Sequence, residues 1–204
     1  PNSEELEDNI TTATSTGGAR YLRENIAKIL KTVPLHKSIR TFAGLRPSST
    51  SKDFIIGPLD DENPNFINIA SIESPGLASA PAIADHVIEH FIADRFCLKE
   101  NPDAVMTRDK PIVVSELSEE EREKLVRANS QYANIVCRCE TISEGEIVSA
   151  IHEVCGARSV KGIKKRVRPG MGKCQGGFCE PKVVEILARE LNCSPVDIVQ
   201  DGQY

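Results

Sequence analysis

Four of the seven cysteines in the 204-residue sequence fall into two tight pairs. The first is Cys137-Arg138-Cys139. Thirty-four residues later comes Cys174-Gln175-Gly176-Gly177-Phe178-Cys179. Two close pairs that a fold must bring together meet the need of a centre held by four thiolates. Three chemistries are open to them: a [2Fe–2S] cluster, a structural zinc, or ordinary thiols. Zinc pairs are usually spaced C-x(2–4)-C, wider than C-x-C. The C-x4-C-x2-C order of plant-type ferredoxins is also absent. Spacing therefore leans toward iron–sulfur and leaves zinc and bare thiols standing.

The charge around these pairs is uneven. Val154 to Cys179 holds seven Lys and Arg and no Asp or Glu. That leaves −12 for the rest of a chain whose formal net charge is −5. A basic segment in an acidic chain suits a local anion or an acidic partner and speaks against general nucleic-acid binding. Cys97, Cys155 and Cys193 lie among apolar residues near expected helix ends, where a thiol behaves as a small hydrophobe. They are expected in the core. An odd cysteine count without disulfide-scaffold spacing fits a reduced, cytoplasmic setting. No run of eighteen apolar residues occurs, so no transmembrane segment is expected. No secretory signal opens the sequence, and its start at Pro1 rather than Met suggests a piece of something longer.

The elements that must position the cysteines read as small helices. Ser143 with Glu146 matches a capping box, flanked by an Ile142/Ile147 staple. Ile147, Val148, Ile151 and Val154 form the expected inner stripe, and Gly156 ends that helix. A basic helix is expected near Ser159 to Arg168, with Val160, Ile163 and Val167 inward. A third runs from Pro181 to Leu191, with Val183, Val184, Leu187 and Leu191 apolar. Ser194-Pro195-Val196-Asp197 opens a short fourth. Cysteines at helix ends meet positive dipole ends and free N–H groups, which favour thiolate.

The first half reads as mixed. Residues 1–16 are a polar loop, and a helix follows from Gly18 to Lys31. Strands are expected at Ser38–Gly44, Asp53–Gly57 and Phe66–Ile72, the last two joined by the hairpin loop Pro58–Asn65. A Gly/Pro/Ser loop at 73–80 leads into a helix from about Pro81 to Phe96, with Pro in its first turn. His86-Val87-Ile88-Glu89-His90 fits H-x-x-E-H, a zinc-peptidase pattern. Its polar residues fall where a solvated helix face belongs, and we read them so. Ser118 and Glu121 cap a short helix, Glu119–Asn129, at the end of a linker. The fold class is α+β: 1–100, 101–130 and 131–204 are a mixed unit, a linker and a small all-helical unit.

Residues 135–200, with C-R-C-E and G-M-G-K-C-Q-G-G-F-C among them, resemble the [2Fe–2S]-binding domain of bacterioferritin-associated ferredoxin. The resemblance implies a cluster on Cys137, Cys139, Cys174 and Cys179. A-G-L-R-P-S-S (43–49), D-F-I-I-G-P (53–58) and S-I-E-S-P-G-L-A-S-A-P-A-I-A (71–84) resemble the last part of FAD-dependent oxidoreductases of the glycine/D-amino-acid oxidase type. The nearest in kind are glycerol-3-phosphate dehydrogenase and 2-hydroxyglutarate oxidase. Some members carry the same ferredoxin-like domain at their C-terminus. By that resemblance Gly44, Leu45, Arg46, Pro75, Gly76 and Leu77 would line the FAD, and Arg46 would be catalytic, holding an anionic substrate group.

Two departures qualify this. G-x-G-x-x-G is nowhere in the chain, so the FAD site would be incomplete and the piece inactive alone. Gly76 stands where glycerol-3-phosphate dehydrogenases tend to carry a Lys for the phosphate, which favours a plainer hydroxy acid. The expected function is that of the C-terminal portion of a FAD-dependent, glycerol-3-phosphate-dehydrogenase-like enzyme that passes electrons from flavin to cluster. The expected substrate is a polyol phosphate or a 2-hydroxy acid, and the acceptor a protein or quinone. The alternative is a non-catalytic cluster module whose basic helix docks an acidic partner.

Overall fold

The computed structural model describes residues 2–6, 12–93 and 95–201. Parts of the expected opening loop, residues 1 and 7–11, lie outside the described residues, as does residue 94 in the expected helix 81–96. The chain divides into two units, Pro1–Met106 and Thr107–Tyr204.

In the first unit, α1 (Thr16–Ile29) starts where the Ser15 hydroxyl accepts the Gly18 N–H, satisfying one orphan donor of the first turn. Strands β1 (Ile55–Pro58) and β2 (Ile67–Ala70) pair antiparallel, Ile55 opposite Ala70 and Pro58 opposite Ile67. The expected strand at Ser38–Gly44 is not formed, and that stretch is irregular and exposed. It has β-like residues, but no third strand pairs with it among the described residues, and an unpaired strand leaves its N–H and C=O groups to water. Helix α2 (Gly76–Val87) begins five residues before the expected start and holds Pro81 in its interior. It continues as a π-helical turn, Ile88–Ile92. Phe91 reaches back to β1 and would be 3.7 Å from a Cβ placed on Gly57. Arg95 ties the far end of this helix to the hairpin loop, donating to the Pro64 carbonyl and, at 2.9 Å, to the Asn65 side chain.

The second unit holds the compact core. Helix α3 (Glu119–Ala128) carries the expected Ser118/Glu121 capping box. Short strands β3 (Ile135–Cys137) and β4 (Ile142–Ser143) pair antiparallel with an irregular register. This small ladder is an addition to the expected helices, and it presents the first cysteine pair. Helices α4 (Glu144–His152), α5 (Val160–Val167) and α6 (Glu180–Leu191) pack around Ile147, Ile151, Ile163, Val183, Ile186 and Leu187. The Ser143/Glu146 capping box forms, and Ser159 caps α5. At the C-terminal side, Val160 and Lys161 N–H groups donate to the Val199 and Gln200 carbonyls, pinning the tail onto α5.

Two core expectations fail here. Helix α4 stops at His152, so Val154 swings out and is 97% exposed. The turn that follows puts Cys155 at φ 57° and closes on Ala157, whose N–H donates to the Ala150 carbonyl. Cys97, Cys155 and Cys193 are exposed rather than buried. Their apolar neighbours in sequence belong to helices that end just before each thiol.

Candidate iron–sulfur and flavin sites

Cys137 ends β3, and Cys139 follows in the turn toward β4. Cys174 lies in the loop before α6, and Cys179 occupies the N-cap position of that helix. The Cys139 thiol donates to Cys174 across 3.7 Å. Cys137 and Cys179, 1% and 2% exposed, both belong to the apolar core cluster. The Cys139–Cys174 contact therefore joins one thiol of Cys137-Arg138-Cys139 to one of the 174–179 loop, not thiols adjacent in sequence.

Their surroundings differ. Burial, then the facing Cys137 thiol, pushes the Cys179 thiol up to about 11. The main-chain N–H groups of Phe178 and Gly176, then the Cys139 thiol, hold Cys174 below the ordinary thiol value. Both residues belong to the loop that leads into α6, whose N-cap is Cys179. A bound metal would convert all four to thiolates and reverse the upward shift at Cys179.

Several supports were not legible as functional from the sequence. Gln175 Nε2 donates to the Met171 and Gly172 carbonyls at 3.0 and 3.1 Å, tying the Gly-rich turn to the cysteine loop. A Cβ on Gly172 would stand 2.3 Å from the Cys139 Cβ, so only glycine lets the two loops approach this closely. The Arg138 guanidinium lies 4.6 Å over the exposed Phe178 ring, bridging the two motifs by a cation–π contact. Buried Glu146 does more than cap α4, since it also accepts the Val114 N–H at 3.3 Å. None of these contacts has a periodic signature, so the linear pattern carried no sign of them.

The seven basic residues of 158–173 include several with partners of their own. Arg166 donates to the Cys155 and Gly162 carbonyls, and Lys161 pairs with Asp201. Arg168 reaches Glu140, the residue after Cys139, at 3.4 Å. Lys173 immediately precedes Cys174. Two of the basic residues thus stand next to the exposed thiol pair.

In the first unit, Arg46 is half-exposed and lies 3.9 Å from Glu73. This brings the 43–49 segment beside the 71–77 loop. Gly44 has nothing within 4 Å of a would-be Cβ, and Leu45 and Leu77 are exposed. Gly76 is buried, and a Cβ there would meet the Ile72 side chain at 2.4 Å. Pro75 precedes it at the N-cap of α2. Among the described residues no three His, Cys, Asp or Glu side chains converge on a single point, and the thiol contact is that of Cys139 with Cys174. His86 and His90 stack edge to face at 4.4 Å and lie against Phe91.

Comparison with known proteins matches this layout. Residues 2–90 match the family described as FAD dependent oxidoreductase. Residues 135–189 match the BFD-like [2Fe-2S] binding domain. A glycerol 3-phosphate dehydrogenase of Caloramator mitchellensis is 46% identical over 208 residues, covering 100% of this chain and 43% of that protein. An opine oxidase subunit of Agrobacterium tumefaciens is 42% identical over 72 residues, 35% of this chain and 14% of its own length. A glycerol 3-phosphate oxidase of Mycoplasma genitalium is 34% identical over 91 residues, 44% of this chain and 23% of its own. The chain spans less than half the length of these curated relatives. No solved structure matches it. No helix among the described residues is long and apolar enough to cross a membrane.

Proposed function

We propose that this chain, which joins part of a FAD-dependent oxidoreductase domain to a BFD-like [2Fe–2S] domain, is a portion of a dehydrogenase acting on the CH–OH group of glycerol 3-phosphate. The observation that carries this reading is the 46% identity to a glycerol 3-phosphate dehydrogenase along the whole chain, both modules included. When bound, FAD supplies the acceptor for a hydride and the cluster a one-electron carrier.

The chain's own residues have defined parts. Cys137, Cys139, Cys174 and Cys179 hold the cluster, supported by the Cys139–Cys174 contact, by Cys179 at the N-cap of α6 and by the [2Fe-2S] domain match over 135–189. The N–H groups of Gly176 and Phe178 stabilise negative charge on Cys174. Arg46 offers a guanidinium fork to a phosphate or carboxylate, with Glu73 as its resting partner. Gly44, Leu45, Pro75, Gly76 and Leu77 form the edge against the flavin. The acceptor is a redox protein or quinone. Four reduced thiols in one centre suit a cytoplasmic setting.

A 2-hydroxy acid is the second reading of the substrate. It is favoured by Gly76, where Ile72 fills the space that any side chain would need, so no cation can stand there to meet a phosphate.

Two measurements test this. The chain purified without oxygen should show broad visible absorption with two iron and two sulfide per chain. A colourless sample with one zinc would replace the cluster by a structural site. The parent enzyme, loaded with FAD, should bleach its flavin on adding glycerol 3-phosphate. Bleaching by a 2-hydroxy acid alone would select the second reading. Bleaching by neither would leave a non-catalytic cluster module.

A further inference from the structure

We propose that Cys139 and Cys174 share one iron at the protein surface, that Cys137 and Cys179 share the other in the core, and that the surface iron takes up the added electron. This rests on the cluster reading above and assigns what that reading leaves open. Sequence adjacency suggests the opposite arrangement, one iron for Cys137 and Cys139 and the other for Cys174 and Cys179.

The distances favour the crossed arrangement. Two thiolates about 2.3 Å from one tetrahedral metal lie roughly 3.7 Å apart. The Cys139 and Cys174 sulfurs are 3.7 Å apart. Thiolates on different irons are separated by both metals and their bridging sulfides, so they stand much farther apart. Housing Cys139 and Cys174 on different irons would require pulling apart a contact that the two loops already make. Arg138 over Phe178 bridges those loops, and Gln175 on the Met171 and Gly172 carbonyls braces the second of them internally. Pairing Cys139 with Cys174 leaves Cys137 and Cys179 for the other iron, and both belong to the apolar core with Ile142, Ile147 and Val183.

The environments then decide where charge goes. Reduction adds one electron, converting one ferric iron to ferrous with no bond made or broken. The added negative charge is favoured where solvent and N–H donors can answer it and disfavoured in an apolar interior. Cys139 and Cys174 are exposed, and Cys174 receives the Gly176 and Phe178 N–H groups. Lys173, also exposed, is the sequence neighbour of Cys174, and Arg168 stands beside Cys139 through Glu140. The inner pair is enclosed by apolar side chains instead.

The test uses the native chain, reduced with dithionite, by paramagnetic proton NMR. Cysteine β-protons on ferric and ferrous iron differ in the temperature dependence of their shifts, so the four ligands sort into two classes. Overhauser contacts to neighbouring residues assign each signal. The expected result places Cys139 and Cys174 together in the ferrous class. Pairing of Cys137 with Cys139 overturns the ligand assignment. Cys137 and Cys179 in the ferrous class, or four equivalent ligands, overturns the placement of the electron. Failure of the underlying reading looks different, because a zinc-bound or colourless chain gives no shifted signals at all. As a second readout, Cys139→Ser and Cys174→Ser should shift the midpoint potential downward more than Cys137→Ser or Cys179→Ser, since a harder ligand opposes ferrous iron most where the electron resides. A larger shift from the buried pair would contradict the proposal.

Discussion

Glu146 offers the sharpest test of how the cluster unit is held together. The residue is 3% exposed, and its carboxylate accepts three hydrogen bonds. Oε2 takes the Ser143 N–H at 2.7 Å and the Ser143 hydroxyl at 2.6 Å, and Oε1 takes the Val114 N–H at 3.3 Å. Val114 is itself 1% exposed. Glu146→Ala leaves these buried donors without an acceptor, at about 1–3 kcal/mol for each group left unpaired. Because the donors share one region the costs overlap, and we expect a total of about 3 kcal/mol. For a domain of this size that corresponds to a fall in Tm of roughly 12–24 °C. Glu146→Gln should also destabilise, since an NH2 group then faces a donor. The control is Glu121→Ala, which breaks the same motif at Ser118 on an exposed helix, where water replaces the lost acceptor. Thermal unfolding followed by circular dichroism in the full chain measures all three. Equal Tm losses for Glu146→Ala and Glu121→Ala would refute the argument that burial sets the cost.

Gly172→Ala would drive a methyl group into the Cys139 Cβ, 2.3 Å away. Overpacking of this kind costs about 1–3 kcal/mol, and it should show as reduced iron and sulfide per chain with α-helical content retained. Cys97, Cys155 and Cys193 are exposed, so changing all three to Ser should leave iron content unaltered. Stability should move by no more than about 0.5 kcal/mol per site. Ile151→Ala, at a fully buried position, should cost about 2–5 kcal/mol, whereas Val154→Ala, three residues on and 97% exposed, should be nearly silent in urea unfolding. The His152 contact, then Arg189, holds the Glu190 carboxyl below its usual range. A lowered folded pKa gives stability that is present above the unfolded carboxylate value near about 4.3 and is lost as pH falls through the folded value. Parent and Glu190→Gln should therefore differ in Tm at neutral pH and converge at acid pH below the folded value.

Much of the second unit was legible because its signals are local. Ser118/Glu121 and Ser143/Glu146 needed only a three-residue spacing to be read as helix starts. Ile147, Ile151, Ile163, Val183 and Leu187 needed only the helical period. Boundaries were less legible where a competing preference acted. Pro81 suggested a first turn, yet α2 starts at Gly76 and carries the proline inside. Val154 continued the apolar stripe, but the chain had already left the helix at His152.

Cysteine types and spacing by themselves determined that a four-thiol centre was chemically possible, and the charge count set a basic segment beside it. Which thiols face one another was decided only in three dimensions. The close approach of the loops at Gly172, and the seating of β3 beside the start of α6, set that choice through contacts such as that of Cys139 with Cys174, 35 positions apart. Burial likewise follows the surface and not the alphabet: Cys137 and Cys179 are enclosed while Cys139, Cys155 and Cys174 meet water. A sequence records what each side chain can do; the separation and dielectric that select among those capacities exist only once distant segments pack.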